Sequence, residues 1–302
     1  FGSKAGLVPL HQWLPYAHPQ APSHSSALMS GVMLKVAVYG FLRVLMLFFP
    51  QIPASWAIIV LGVGLLSAFF GVLHAVSETD LKKLLAWSSI ENLGLIFAMI
   101  GAGLVARSAE LSSTPFFVAA GIHSLNHAIF KSGLFLSAGA IISETHTRDI
   151  DAMGGMANKW PLFSMLFLGF VFAAAALPPF GTFYGEWIYL QQMALLIGQG
   201  SSMVTVVFII ALSTSALVGG LAIFTFAKTF ATIFLSKARS AHAEDVKPLA
   251  NQLIWPIGIA ASLTLLFGFF ATNITRLIGL IADRTTTPSL TLANNATISP
   301  KM

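Results

Sequence analysis

The sequence has 302 residues, of which 56% are hydrophobic and only 9% charged, and its formal net charge is +5. Mean hydropathy is +0.81, whereas a soluble domain would carry about 25% charged residues; a soluble globular fold is excluded, and the natural unit is the membrane span. The absence of cysteine removes disulfides and thiolate-bound iron–sulfur clusters, and the small, dispersed positive charge gives nucleic-acid binding no support.

In chain order, residues 1–14 come first and are too short to cross a bilayer, which takes about 20 residues. The chain is therefore expected to start inside a helix, with an N-terminal portion missing. Pro9 and Pro15 bracket His11-Gln12-Trp13, and proline removes a backbone donor and crowds the preceding turn, so this stub is predicted to be broken. Seven apolar segments follow, at 27–49, 54–77, 81–105, 115–142, 161–195, 203–235 and 252–281. Segment 161–195 is too long for one straight crossing and carries Pro178-Pro179 and Gly181, which predicts one helix broken near mid-membrane. Counting the stub, the expectation is an all-α polytopic transmembrane bundle of about eight spans, two of them broken. Broken helices at membrane depth persist only where protein buries them or where they line a cavity, and in transporters they mark binding sites. A polar tail from Asp283 to the end is expected to be mobile; its Asn295-Ala296-Thr297 triplet is a chance-prone sequon and carries no weight.

Loop charges predict an orientation. Lys82, Lys83, Arg148, Lys159, Lys237, Arg239 and Lys247 fall in loops 78–83, 143–160 and 236–250, against Arg107, Arg276 and Arg284 on the other side. The excess of cations places the first group of loops in the cytoplasm. The alternation works only if 161–195 crosses once.

His123, His127 and Lys131 then stand out. They lie four residues apart within 115–142, so on a helix they share one face, each about 6 Å further along the axis. A lysine at mid-bilayer costs about 2.5 to 3.5 kcal/mol, and groups that costly face a polar interior and belong to ion or proton routes. Lys35 lies deep in 27–49, and Glu186 follows the Pro178-Pro179 break by about two turns; both read the same way. Lys4 lies just before Pro9, while Lys82 and Glu91 share segment 81–105. Lys82 and Lys228 have two open readings, a polar-route role or snorkelling to the headgroups; Lys83 and Arg276 read as snorkelling. His74 reads as a hydrogen-bonded packing residue. His-x3-His is also a zinc spacing, but no third ligand follows and Lys131 places a cation at the next site on that face. Axial haem ligation by His74 and one of the pair has no supporting motif. No cofactor and no metal are expected.

The run from Lys4 to His18, Lys-Ala-Gly-Leu-Val-Pro-Leu-His-Gln-Trp-Leu-Pro-Tyr-Ala-His, resembles the signature of the antiporter-like subunits of respiratory complex I, Mrp antiporters and group 4 membrane-bound hydrogenases. Ala21-Pro22-Ser23, Leu34-Lys35, the run Asp80 to Ser89, the His123/His127/Lys131 row and Gly185-Glu186 fit the same pattern over about residues 1–240. Ser89-Ile90-Glu91-Asn92 and the run Ser26 to Met33 point to the hydrogenase branch, of the hydrogenase-4 and formate hydrogenlyase type; complex I and Mrp relatives are the alternative.

The resemblance implies a fourteen-helix core with two inverted five-helix repeats. The chain would hold the end of the first repeat at 1–49, the whole second repeat at 54–235 and an additional C-terminal span at 252–281, within a membrane domain of residues 1–282. It also implies that Lys4, Lys35, Lys82, His123, His127, Lys131 and Glu186 form a proton relay, with Glu91, Lys228, His11 and His74 as accessory groups, and that the carboxylate partner of Lys4 lies upstream. The implied partners are other membrane subunits and a peripheral hydrogenase or quinone-reducing module, in the bacterial inner membrane, moving protons or Na⁺. The sequence itself shows no nucleotide loop and no redox motif, so the driving energy would come from such a partner.

Overall fold

The computed structural model describes residues 1–49, 51–235 and 237–286, with side chains through residue 280. The tail 287–302 with its Asn295-Ala296-Thr297 triplet lies outside the described residues, as do the side chains of Asp283 and Arg284. Among the described residues the fold is helical throughout, with a single isolated β-bridge between Asp80 and Asp149.

Two short helices open the chain, α1 (Gly2–Ala5) and α2 (Trp13–Gln20). Between them Gly6 takes the left-handed conformation at φ 76°, which its missing Cβ permits; the predicted break at Pro9 lies in this gap. Then come α3 (Ser23–Phe48, with a π turn at Met29–Met33), α4 (Ala54–Ser77), α5 (Leu81–Ser108) and α6 (Thr114–Thr145). These four, together with α9 (Ser202–Leu235) and α10 (Asn251–Phe269), are, among the described residues, the six helices long and apolar enough to cross a membrane. Segment 161–195 forms α7 (Pro161–Ala174) and α8 (Gly181–Leu196), separated at Pro178-Pro179 as its prolines predict.

Segment 252–281 departs from the expectation of one span. It forms α10 and a second helix, α11 (Ala271–Thr286), turning at Phe270. Just before the turn, the backbone at Gly268 lies against the Pro179 carbonyl in the α7–α8 break. Helix α11 then lies along α6, with Ile278 against Gly121, and it carries the first residues of the predicted polar tail, 283–286, in helical form.

Helix α5 is the central element; its most apolar 18-residue window is entirely buried by the rest of the chain. Its start is fixed by Asp80, whose carboxylate accepts from Lys82 N at 2.9 Å and Lys83 N at 3.1 Å, satisfying donors that a helix leaves unpaired. It packs closely on α4 because Gly64 and Gly94 face one another's backbones, the small-residue contact that lets membrane helices approach. Helix α6 packs beside α5 and receives α3, α8, α10 and α11 on its other faces.

Three loops meet at one end of the bundle. Leu81 N donates to Arg148 O at 2.9 Å, Arg239 donates to Met153 O at 3.2 Å, and Trp160 Nε1 donates to Lys247 O at 2.8 Å. These are the loops that the cation count assigned to a common side.

Candidate functional site

The α6 row turns inward as its spacing predicts. His123, His127 and Lys131 are 1%, 0% and 0% exposed, and each meets polar groups from α3 or α5. His123 Nε2 lies 3.0 Å from Asn92 Oδ1. The Asn92 amide nitrogen donates to Ser88 O at 2.8 Å, so its oxygen faces the imidazole. His123 is therefore protonated at Nε2 when neutral, leaving Nδ1 as a buried acceptor with no hydrogen-bond partner among the described residues.

One turn on, His127 Nδ1 is in direct contact with Lys35 Nζ, which also donates to Ser30 O. Lys35 thus directs its ammonium into the bundle, as its depth in the segment predicts. His127 Nε2 is buried and unpartnered among the described residues. Lys131 donates to Ser88 Oγ and lies 5.4 Å from the Phe226 ring centroid. Between the two lysines the polar groups alternate: Lys35 reaches the Ser30 carbonyl, Ser30 Oγ and Ser89 Oγ are 2.9 Å apart, and Ser89 and Ser88 meet through the Leu85 carbonyl, to which both donate. Polar groups therefore stand all along the way from His127 to Lys131, with the backbone carbonyls of Ser30 and Leu85 among them.

Glu91 is 2% exposed on α5, with Oε2 unpartnered among the described residues. It lies in electrostatic reach of both Lys131 and Glu186. Glu186, on α8 beyond the break, sits opposite Gly219 of α9. Gly185 rests against the backbone of His123, and Gly181 against the Asn126 amide. The break thus brings α8 onto the polar face of α6, where a Cβ at Gly181 would displace Asn126.

The remaining predicted residues separate into distinct places. Lys82 is buried and its Nζ donates to Ala21 O at 2.7 Å, so it points at α2 and does not snorkel. Lys228 donates to Val76 O at 3.1 Å, neutralising the carbonyl end of α4. His74 stacks on Trp87 with ring centroids 4.2 Å apart and bonds Phe70 O through Nδ1 at 2.8 Å, the packing role expected of it. His11 and His74 line a cleft of about 570 Å³ with Pro9, Trp87, Glu78 and Lys83. Lys4 is exposed on α1 and is not brought to the row. Arg276 is exposed on α11.

Sequence reasoning missed Ser30, Ser88, Ser89, Asn92 and His18. The first four are uncharged, so cost alone does not flag them; the signal in the sequence was the i, i+4 spacing of Ser88 and Asn92 on either side of Glu91.

A sequence profile of the family described as "NADH:quinone oxidoreductase/Mrp antiporter, TM" matches residues 1–214. The chain is 40% identical over 305 aligned positions to hydrogenase-4 component B of Escherichia coli K12, covering 99% of this chain and 45% of that one. It is 37% identical over 250 positions to formate hydrogenlyase subunit 3 of the same organism, covering 81% of this chain and 40% of the relative. The chain thus spans less than half the length of these two relatives. Its fold matches that of a chain in the Mrp complex of Dietzia sp. DQ12-45-1b with a TM-score of 0.81 at 23% identity, over 97% of this chain and 59% of the other. With its apolar spans, its interrupted helix and its buried polar row accounted for together, the chain belongs to the NADH:quinone oxidoreductase/Mrp antiporter family of membrane subunits.

Proposed function

We propose that this chain is a proton-translocating, antiporter-like subunit of a membrane-bound hydrogenase complex of the hydrogenase-4 and formate hydrogenlyase type, located in the bacterial inner membrane. The similarity to hydrogenase-4 component B and formate hydrogenlyase subunit 3 supports the branch. The observation that carries the mechanism is the buried polar row from His127 and Lys35, past Ser30, Ser89 and Ser88, to Lys131. Within it, lysine and histidine gain and release protons, and bridging water carries them past the Ser30 and Leu85 carbonyls, which accept a hydrogen bond and pass no proton on. Glu91, within electrostatic reach of Lys131, favours a proton on that lysine, and Glu186 extends the path across the helix break. In this reading residues 54–235 act as one five-helix repeat, with 1–49 completing the preceding one.

Moving one charge against 100 mV requires about 2.3 kcal/mol, which redox chemistry in a partner module would supply. In the full-length subunit within its complex, Lys131→Ala or Glu186→Ala is expected to abolish proton pumping while assembly persists. Vesicle acidification at the parent rate by both variants would overturn the relay. Acidification that follows a Na⁺ gradient without electron transfer would assign the row to Na⁺/H⁺ exchange instead.

A further inference from the structure

His18 is the most fully enclosed titratable side chain outside the row just described. It sits in the last turn of α2, is 0% exposed, and neither ring nitrogen has a hydrogen-bond partner among the described residues. Its ring stacks on Phe135 with centroids 4.5 Å apart and planes 17° from parallel. Phe135 is the next residue on the α6 face after His123, His127 and Lys131, one helical turn beyond the lysine. His18 therefore occupies the place where the titratable row on α6 stops. Lys82 reaches Ala21 O, three residues on from His18, and both Lys131 and Lys82 lie within electrostatic reach of the imidazole.

The end of α2 is held there by polar contacts. Ser26 Oγ donates to His18 O at 3.1 Å, Arg148 donates to Pro19 O at 2.9 Å, and Lys82 donates to Ala21 O at 2.7 Å. Arg148 also pairs with Asp80 at 3.2 Å, and this pair is partly exposed at the end where the three loops meet. The sequence of ionisable groups from that rim inward is thus Asp80 and Arg148, Lys82, His18 and Lys131.

We propose that His18 carries protons between Lys82 and Lys131, giving the buried row a branch to the loop end of the bundle. This rests on the proton-relay reading above and adds a residue and a direction to it. An imidazole suits the position because it accepts a proton at one nitrogen and releases another proton from the second, returning to the neutral ring with its tautomer exchanged. A buried histidine with no partner on either nitrogen is costly to keep for packing alone, since stacking on Phe135 needs only an aromatic ring. Both lysine cations repel a proton on the ring, so His18 is a transit position and not a resting place for charge.

The test uses the full-length subunit in its complex, in inverted membrane vesicles, with protons moved per electron pair read from a ΔpH dye against the redox rate. His18→Phe keeps the stack and His18→Gln keeps a polar group; neither can titrate. Both are expected to assemble and to pump at least tenfold less per electron pair than the parent. Parent-level pumping by either variant would overturn the proposal, as would failure of both to assemble, because the residue would then be structural. Lys131→Ala run alongside separates the two readings. If it stops pumping while the His18 variants do not, only the His18 branch falls; if it pumps like the parent, the relay itself falls and the branch with it.

Discussion

Asp80 serves three neighbours through one carboxylate. One oxygen receives the amides of Lys82 and Lys83, and the other pairs with Arg148. The Arg148 side chain is 42% exposed, so the ion pair contributes at most about 1 kcal/mol, whereas a helix cap contributes about 0.5–2 kcal/mol. Asparagine caps as well as aspartate. Thermal unfolding in detergent should therefore rank the parent near Asp80→Asn and well above Asp80→Ala; an asparagine variant as unstable as the alanine one would contradict the capping account. The same physical contrast explains which residues were readable from sequence. His123, His127, Lys131 and Lys35 are charged or titratable in the middle of long apolar helices, where no snorkelling route exists. Lys4 has the same chemistry but belongs to a four-residue helix, which leaves its side chain free of the row. His18 lies in an eight-residue helix whose burial depends on docking under Lys82 and Arg148, and no local pattern announces such docking.

Helices α4 and α5 meet backbone to backbone. A side chain added at Gly94 would strike Ala68 and the Gly64 carbonyl, while one added at Gly62, on α4, meets nothing within 4 Å. Overpacking at a rigid contact costs about 1–3 kcal/mol or more. Gly94→Leu should thus sharply reduce the folded protein recovered from membranes, and Gly62→Leu should leave it unchanged. Equal recovery would mean that the close contact does not hold the pair. Because Glu91, Asn92 and Ser88 all sit on α5, the Gly94 variant should also lose the polar row's alignment. At this scale the sequence was readable wherever an element ended for a local reason. The 161–195 break follows from Pro178-Pro179 and Gly181, and α5 begins at its capping aspartate. The turn at Phe270, which follows the contact of Gly268 with the distant Pro179 carbonyl, was not readable. An apolar run with no proline near that point gives no warning that a second helix will fold back along α6.

The whole bundle has two chemically different ends. Loops 78–83, 143–160 and 236–250 are hydrogen-bonded to one another at one end, and Gln192 reaches Ser112 O at 3.2 Å at the other. The cation excess lies at the first end, which predicts that this end faces the cytoplasm. In that orientation the proposed His18 branch would open to the cytoplasm, since Lys82 and the Asp80–Arg148 pair lie at the cationic end. Because these 302 residues contain no cysteine, substitutions within them report position without competing thiols in this region. Lys159 and Lys247 are exposed at the first end, and Ser112 and Gln199 at the second. With a membrane-impermeant maleimide, Lys159→Cys and Lys247→Cys should label only in inverted vesicles, and Ser112→Cys and Gln199→Cys only from the outside of intact cells stripped of their outer membrane. A complete exchange of the two pairs would reverse the orientation and turn the Lys82 branch toward the outside. Splitting within either pair would break the assignment of those loops to a common face. It would then require α7 and α8 to be two crossings and not one interrupted span.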